Sequence, residues 1–165
     1  MTKQKTLDDL FLDTLKDIYF AERQILKALP KMARAASSED LAEAFRNHKE
    51  ETEGQVERLQ QVFEILGKPA RGKTCEAIQG IIAEGEEIIE EFKGAPALDA
   101  GLISSAQAVE HYEMARYGTL LAWARQLGKK DVVKLLEETF EQESKADLEL
   151  SKLAEKSVNA SAEAA

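Results

Sequence analysis

The sequence predicts an all-α fold, a four-helix bundle whose chain makes one long crossover. Its composition favours helices, since it is rich in Ala, Leu, Glu, Lys and Gln and has three prolines in 165 residues. Apolar residues recur at steps of three and four along four long segments, and the alternation typical of strands is absent. We assign residues 1–157 to a single helical domain. We expect residues 158–165, which have little apolar content, to form a frayed tail.

The first two long helices are joined by a short connection. Helix one is predicted to begin after Thr6, because "TLDD" resembles a capping box with Asp9 in its third position. Pro30 lies inside the apolar stripe of this helix and predicts a kink or an early end. "SSED" supplies a cap for helix two, which Gly67 and Pro69 terminate. Because the connection is tight, we expect the two helices to be antiparallel neighbours.

The second half of the chain repeats this arrangement after a shorter helix. The short helix follows the loop "ARGKTC", and two further long helices follow the break at "KGAPALDAG", with Gly128 between them. The order is therefore long, long, short, long, long. This order predicts a ferritin-like four-helix bundle, with a short extra helix in the long crossover between two antiparallel helical hairpins. An up-down-up-down bundle needs no such segment.

Charge and segment composition exclude several classes of function. The formal net charge of −9 argues against a nucleic-acid-binding protein and against binding to an anionic membrane surface. The start "MTKQKTLDDLF" lacks the apolar run of a signal peptide, and no stretch approaches the length of a membrane span. The single cysteine, Cys75, forms no CxxC motif and is predicted to be a small, partly buried residue rather than a nucleophile. We therefore expect a cytoplasmic protein.

Each long helix carries an ionisable residue inside its apolar stripe. Steps of three and four residues place a carboxylate on the inward face of all four: Glu22, Glu51, Glu110 and Glu143. Each carboxylate lies about 13 to 17 residues from the turn of its own hairpin. At about 1.5 Å rise per residue, their heights differ by only a few ångströms. The four carboxylates are thus predicted to converge on one layer of the bundle.

Other polar and aromatic side chains adjoin this layer: Tyr19, His48, Gln55, His111, Tyr112, Glu113 and Asp147. Several of them have two interpretations. His111 and Tyr112 either ligate a metal or hydrogen-bond its ligands. Glu113 either supports the site or pairs with Arg116, and Gln55 either ligates or hydrogen-bonds a carboxylate. Tyr19 and Tyr112 either tune the site by hydrogen bonding or fill the core.

Such a layer needs neutralisation, because carboxylates in an apolar environment repel each other and lose hydration. Protonation would relieve part of this cost, and two divalent cations would relieve it more completely. A shell of oxygens with one imidazole suits iron or manganese better than a structural thiolate zinc site. Taken singly, each inward Glu is better explained by a misread register or by a place at the edge of a stripe, and His48 alone is better explained as an ordinary core histidine. The apolar stripes of all four long helices are interrupted at the same height, and this joint pattern favours a metal site.

Four stretches of the chain resemble the YciE/YciF stress-response family of ferritin-like proteins: "LDTLKDIYFAERQILKALPKMA", "HKEETEGQVERL", "AVEHYEMARYGTL" and "EQESKADLELSKLA". The resemblance extends to about residue 157. It implies a five-helix ferritin-like fold, a dinuclear metal site and a homodimer. By carry-over it implies core metal ligands at Glu22, Glu51, Glu110 and Glu143, with terminal ligands at His48 and Asp147.

One departure from the common di-iron carboxylate pattern limits this inference. That pattern has Glu-x-x-His on the second and last bundle helices. Here His48 precedes Glu51 by three residues, and the last helix offers Glu143 and Asp147 at a spacing of four. Ferroxidase or catalase activity is therefore not carried over from the resemblance.

Three functions fit these observations. The leading hypothesis is a protein of the oxidative or general stress response that binds two divalent metal ions, iron or manganese, and reacts with peroxide or dioxygen between them. Such a protein would be a di-metal oxidoreductase. The second is iron binding or storage without turnover. The third is a structural or adaptor bundle in which the polar layer only fixes the register of the helices.

Overall fold

The fold is a bundle of five main helices, seen in a computed structural model that describes residues 3–164. The helices are α1 (Leu7–Ala35), α2 (Glu39–Ile65), α3 (Glu76–Glu91), α4 (Leu98–Gln126) and α5 (Lys130–Leu153). A π-helical turn (Ala154–Val158) and a short α6 (Asn159–Glu163) follow. Within 3–164 there is no strand. The all-α class and the predicted order of long and short helices are confirmed.

Two hairpins form the bundle. α1 packs along α2 and α4 packs along α5, while contacts between α2 and α5 and between α1 and α4 join the hairpins. α3 belongs to the long crossover and lies against α4 and α1. The core between the helices is aliphatic and aromatic, and the buried polar residues described below interrupt it at mid-height. No helix in the described part of the chain combines the length and apolarity needed to cross a membrane.

Local sequence signals account for the helix ends. Thr6 and Asp9 form the predicted capping box at the start of α1, with the Thr6 N–H donating to Asp9 Oδ2 at 2.8 Å. The Ser38 side chain caps α2. Gly67 follows α2 with a φ of 64° and Gly128 separates α4 from α5 with a φ of 69°, a conformation that glycine adopts without strain. The short connections at residues 36–38 and 127–129 make each hairpin antiparallel.

Two local expectations differ from the structure. α1 does not end at Pro30 but continues to Ala35, because Leu29 and Met32 on either side of the proline are buried and hold the helix in place. The segment 158–165, predicted to fray, is helical as far as Glu163, and Val158 is buried against the core. Packing of this turn against α4 supplies the order that its composition does not. The domain boundary at residue 157 stays a prediction.

Candidate metal centre

Three carboxylates and one imidazole meet in the middle of the bundle. His48 of α2, Glu110 and Glu113 of α4 and Glu143 of α5 each offer one ligand atom, and these atoms all lie within 4.8 Å of one another. We call these four residues the central cluster. All four are buried, and their helices reach the cluster from different sides of the core. The group is thus built by tertiary packing and not by one local motif.

The helix period explains why these residues point inward. In α4, steps of four, three and four residues connect Ala106, Glu110, Glu113 and Tyr117, all of which are buried. The face of α5 that is buried between Leu136 and Leu150 includes Glu143. Apolar residues therefore lie above and below the acids on the same faces. Burial of those apolar residues forces the carboxylates into the core with them.

His48 is the cationic partner of the central cluster. Its Nε2 lies 2.9 Å from Glu110 Oε1 and 3.8 Å from Glu143 Oε2, and its Nδ1 lies 3.6 Å from Glu51 Oε2. Burial disfavours the charged ring, but the Glu110 carboxylate, with Glu51 and Glu143, outweighs that penalty and raises the pKa of His48 well above its ordinary value. Without metal, the imidazole is therefore held in its protonated form.

Glu22 of α1 extends the central cluster on the side of α4. It is fully buried, and the Tyr117 hydroxyl donates a hydrogen bond of 2.6 Å to its Oε1. Burial raises the pKa of Glu22 to about 7, with the nearby charge of Glu143 acting in the same direction. Glu113 lies within hydrogen-bonding reach of Glu22, and burial together with the charges of Glu143 and Glu22 raises the pKa of Glu113 well above its usual range.

Glu110 and Glu143 behave as a second pair. Burial raises the pKa of Glu110 well above its ordinary value. Burial acts on Glu143 in the same direction, but hydrogen bonding from Glu110 and the charge of His48 outweigh it and lower the pKa of Glu143. Within this pair, Glu110 therefore holds a proton more readily and Glu143 carries the negative charge more readily. The four glutamates are crowded enough that they cannot all ionise without compensation.

Several of these oxygens have no hydrogen-bond partner among residues 3–164. They are Oε2 of Glu22, Oε2 of Glu110, and both carboxylate oxygens of Glu113 and of Glu143. Buried acceptors are rarely left unpaired, because each unpaired group costs about 1–3 kcal/mol. Carboxylate oxygens with one imidazole are a donor set for iron or manganese. The residues present therefore fit divalent metal ions.

Two predicted ligands lie at the edge of this group. The Glu51 side chain is 37% exposed and reaches the central cluster only through His48 Nδ1. Asp147 lies beside His111, with 3.1 Å between Asp147 Oδ1 and His111 Nε2, and the His111 side chain is 67% exposed. Glu113, predicted only as an accompanying residue, lies inside the cluster instead. Ligation by any of these residues stays a prediction.

The other predicted neighbours of the site make contacts of their own. Tyr19 packs edge-on against Phe63, with ring centroids 5.5 Å apart, and its hydroxyl accepts a hydrogen bond from Gln60. Tyr112 donates to Asp17 Oδ2 at 2.7 Å. Both tyrosines thus have hydrogen-bond partners away from the central cluster.

Cys75 adjoins this second tyrosine. It is buried at the N-cap of α3, with its Sγ 2.9 Å from the hydroxyl oxygen of Tyr112. Cys75 is therefore a small buried residue, as predicted, but it is fully buried where the sequence predicted partial burial.

Gln55 links the central cluster to a polar network between α2 and α5. It is fully buried, it lies close to Glu143, and its Nε2 donates to Gln142 Oε1 at 3.3 Å. Gln142 in turn accepts from the Arg58 guanidinium, whose Nε donates to Thr139 Oγ1 at 3.0 Å. The network fixes the amide that faces Glu143.

Sequence reasoning missed two contributors to the site. Tyr117 is buried on the core face of α4, and its hydroxyl is the donor for Glu22. A tyrosine four residues after an inward Glu was the available signal, since a buried hydroxyl needs a partner. Arg58 gave no signal, because its target residues are on α5 and far along the chain.

Comparisons with known proteins agree with this architecture. The chain is 47% identical over 160 residues to the protein YciF of Escherichia coli strain K12. This alignment covers 96% of this chain and 96% of that protein. The crystal structure of the E. coli stress protein YciF superimposes with a TM-score of 0.90 at 46% identity, over 94% of this chain and 99% of that one.

Two further solved structures share the fold. YcfI of Rhodopseudomonas palustris matches with a TM-score of 0.88 at 47% identity, over 92% of this chain and 97% of that one. A protein of Xanthomonas campestris pv. campestris matches with a TM-score of 0.74 at 22% identity, over 95% of this chain and 96% of that one, which shows a common fold alone. The resemblance to the YciF group is confirmed. Residues 6–163 match the family described as Domain of unknown function (DUF892), and the chain belongs to that family.

Proposed function

We propose that this protein binds two divalent metal ions, iron or manganese, at the central cluster and Glu22. We further propose that it uses these ions to react with dioxygen or peroxide in a stress response. The observation that carries the proposal is the set of buried carboxylate oxygens that have no partner in the described structure. Bound iron or manganese would supply the redox chemistry. The stress role is supported by the similarity to the E. coli stress protein YciF.

The chain's own residues divide into two sides. His48, Glu110 and Glu143 face one another and would hold one ion. Glu22 and Glu113 face each other on the other side and would hold the second, with Glu143 close to both. This division gives each ion ligands from more than one helix. Metal binding would therefore connect the two hairpins of the bundle.

Neighbouring residues orient these ligands. Tyr117 fixes one oxygen of Glu22 and leaves the other free, and Gln55 lies beside Glu143 on the side of α2. Orientation by such partners raises metal affinity, because the ligands need not reorganise on binding. The aliphatic residues around the layer exclude water, and the low dielectric constant that results strengthens the electrostatic interactions between charges in the site.

A structural role without metal is the second candidate function. It is favoured by the 2.9 Å contact between His48 and Glu110, together with the raised pKa of Glu110, because both reduce the uncompensated charge of the cluster without metal. In that case the polar layer would serve only to fix the register of the helices.

A metal titration separates the two functions. We expect protein freed of metal by chelation to bind two Mn²⁺ or Fe²⁺ ions per chain. Metal at about 100 times its Kd would raise the free energy of unfolding by about 2.7 kcal/mol for each bound ion. Glu143→Gln should lose most of that stabilisation, whereas the matched control Glu141→Gln, two residues away on the exposed face of α5, should keep it. Equal stability of the wild-type protein with and without metal would contradict metal binding and support the structural role instead.

A further inference from the structure

An apolar cavity lies between α3 and the bundle and reaches the central cluster. Its volume is about 80 Å³. Its aliphatic walls come from α1, α3 and α4, and include Ile25, Leu29, Ile82, Ile89, Ala106 and Val109. At its inner end the lining residues are His48 and Glu110. The cavity thus joins the crossover helix to the imidazole side of the candidate metal centre.

Polar groups lie at the solvent side of this cavity. Lys31 of α1 and Glu86 of α3 both line it, are about half exposed, and form an ion pair of 2.9 Å from one helix to the other. α3 supplies the outer wall. A molecule entering from solvent therefore passes a charged rim and then aliphatic surface before it meets His48 and Glu110.

The size and lining of the cavity limit what it holds. An apolar cavity of about 150 Å³ in an engineered protein stays dry and binds benzene or xenon. This cavity has about half that volume, so it suits a neutral molecule of a few heavy atoms. Along the aliphatic walls a charged solute would lose its hydrogen bonds to water, a cost of roughly 2 kcal/mol or more for each polar group. The polar lining residues Asn47, His48, Ser105 and Glu110 offer hydrogen-bond partners only where the cavity reaches them.

We propose that this cavity is a binding site for a small, neutral, apolar molecule of the size of dioxygen, and that it leads such a molecule to the His48 side of the central cluster. The assignment of dioxygen rests on the proposed function, whereas the existence of an apolar binding site does not. The proposal makes dioxygen a molecule that reaches the site by this route. It also gives the crossover helix α3 a function, which is to close the outer side of the cavity.

Two glycines of α3 provide a matched pair of variants. Gly85 is buried and lines the cavity, and a Cβ added there lies 3.5 Å from Ser105 Cβ, an ordinary contact. Gly80, on the same helix, is exposed, and a Cβ added there meets nothing within 4 Å. Gly85→Leu should fill the cavity and Gly80→Leu should not. Both changes give the same gain in helix propensity. Gly85→Ala is a milder filling variant that fits the space as it stands.

Xenon is the probe, because it is neutral, apolar and independent of metal. In metal-free protein under xenon pressure, we expect saturable NMR shifts of the methyl groups of Ile25, Ile82 and Val109. Gly85→Leu should weaken xenon binding at least tenfold, Gly85→Ala should weaken it less, and Gly80→Leu should bind as the wild type does. Absence of saturable shifts at these methyl groups, or equal binding by Gly85→Leu and Gly80→Leu, would overturn the proposal.

The same variants separate this inference from the proposed function. All of them should bind Mn²⁺ with wild-type affinity, because neither glycine is part of the central cluster. With Fe²⁺ bound, oxidation by dioxygen should be at least several-fold slower in Gly85→Leu than in Gly80→Leu, and equal rates would overturn the dioxygen route. Xenon binding without Mn²⁺ or Fe²⁺ binding would refute the proposed function and leave the cavity. Metal binding without xenon binding would refute the cavity proposal and leave the proposed function.

Discussion

Nε2 of His48 lies 2.9 Å from Oε1 of Glu110, so the imidazole of the central cluster contacts a carboxylate contributed by the other hairpin. This contact places an imidazole and a carboxyl group side by side in the core. The carboxylates around His48 raise its pKa well above the ordinary value, so they favour the protonated ring that a metal ion would have to deprotonate. Metal binding and proton release are therefore coupled at this residue.

Metal affinity should rise with pH. Burial acts against protonation of His48, but Glu110 raises its pKa well above the ordinary value, and a metal ion must displace that proton. We expect tighter Mn²⁺ binding at pH 8 than at pH 6. Isothermal titration calorimetry in buffers of different ionisation enthalpy should show proton release on binding. His48→Gln should bind more weakly and release fewer protons, and a pH-independent affinity would argue against ligation by His48.

The metal-free protein should lose stability as pH rises. The pKa of Glu22 is about 7 in the folded state because of burial, against an ordinary value of 4.5, so the folded state binds more protons than the unfolded state across that interval. Its stabilising contribution is present below about pH 4.5 and is lost as pH rises through about 7. Urea unfolding of chelated protein between pH 5 and pH 8 measures this. Glu22→Gln should flatten the profile, and a stability that climbs through pH 7 in the wild type would contradict the assignment.

Glu113→Gln should have opposite effects on the two forms of the protein. Both Glu113 oxygens lack a partner in the described structure, and burial raises its pKa. Replacement by a neutral amide removes a buried charge and supplies a donor for Glu22, so the metal-free protein should gain about 1 kcal/mol at pH 8. The same change should remove most of the stabilisation by Mn²⁺. Thermal unfolding with and without metal tests both halves, and unchanged metal-dependent stabilisation would place Glu113 outside the site.

Tyr117→Phe should destabilise the protein and weaken metal binding. The change deletes the hydroxyl that donates to Glu22 Oε1 at 2.6 Å and leaves a buried carboxylate oxygen without its donor, which costs about 1–3 kcal/mol. Tyr112→Phe is the matched control, because Tyr112 bonds to Asp17 and Cys75 instead. We expect the control to keep wild-type Mn²⁺ affinity in a calorimetric titration. Equal losses of affinity in the two variants would mean that Tyr117 acts only on the fold.

Much of the fold follows from signals that are local in the sequence. The capping residues Thr6 and Ser38 and the glycines at 67 and 128 set the helix ends without reference to distant contacts. Pro30 was different, because the sequence shows its cost to the helix but not the burial of Leu29 and Met32 that offsets it. Order that depends on tertiary contacts is the part that sequence patterns miss.

The candidate site shows the same limit. Glu22, Glu110 and Glu143 were identified by helical spacing, and all three are buried. After His48, however, both Glu51 and Thr52 fit a step of three or four, and the structure buries Thr52 and leaves Glu51 partly exposed. Because an α-helix has 3.6 residues per turn, an apolar stripe fixes the rotation of the helix about its own axis only to within part of a turn. Packing against α1 and α5 decides it.

The central claim is that metal binds among His48, Glu110, Glu113 and Glu143, and anomalous diffraction from crystals grown with Mn²⁺ tests it most directly. We predict two anomalous peaks inside the bundle, one between His48, Glu110 and Glu143 and one beside Glu22 and Glu113, and both should disappear in Glu143→Gln crystals. Anomalous peaks only on the surface, or electron density showing the central cluster closed on its own hydrogen bonds at saturating Mn²⁺, would contradict the account.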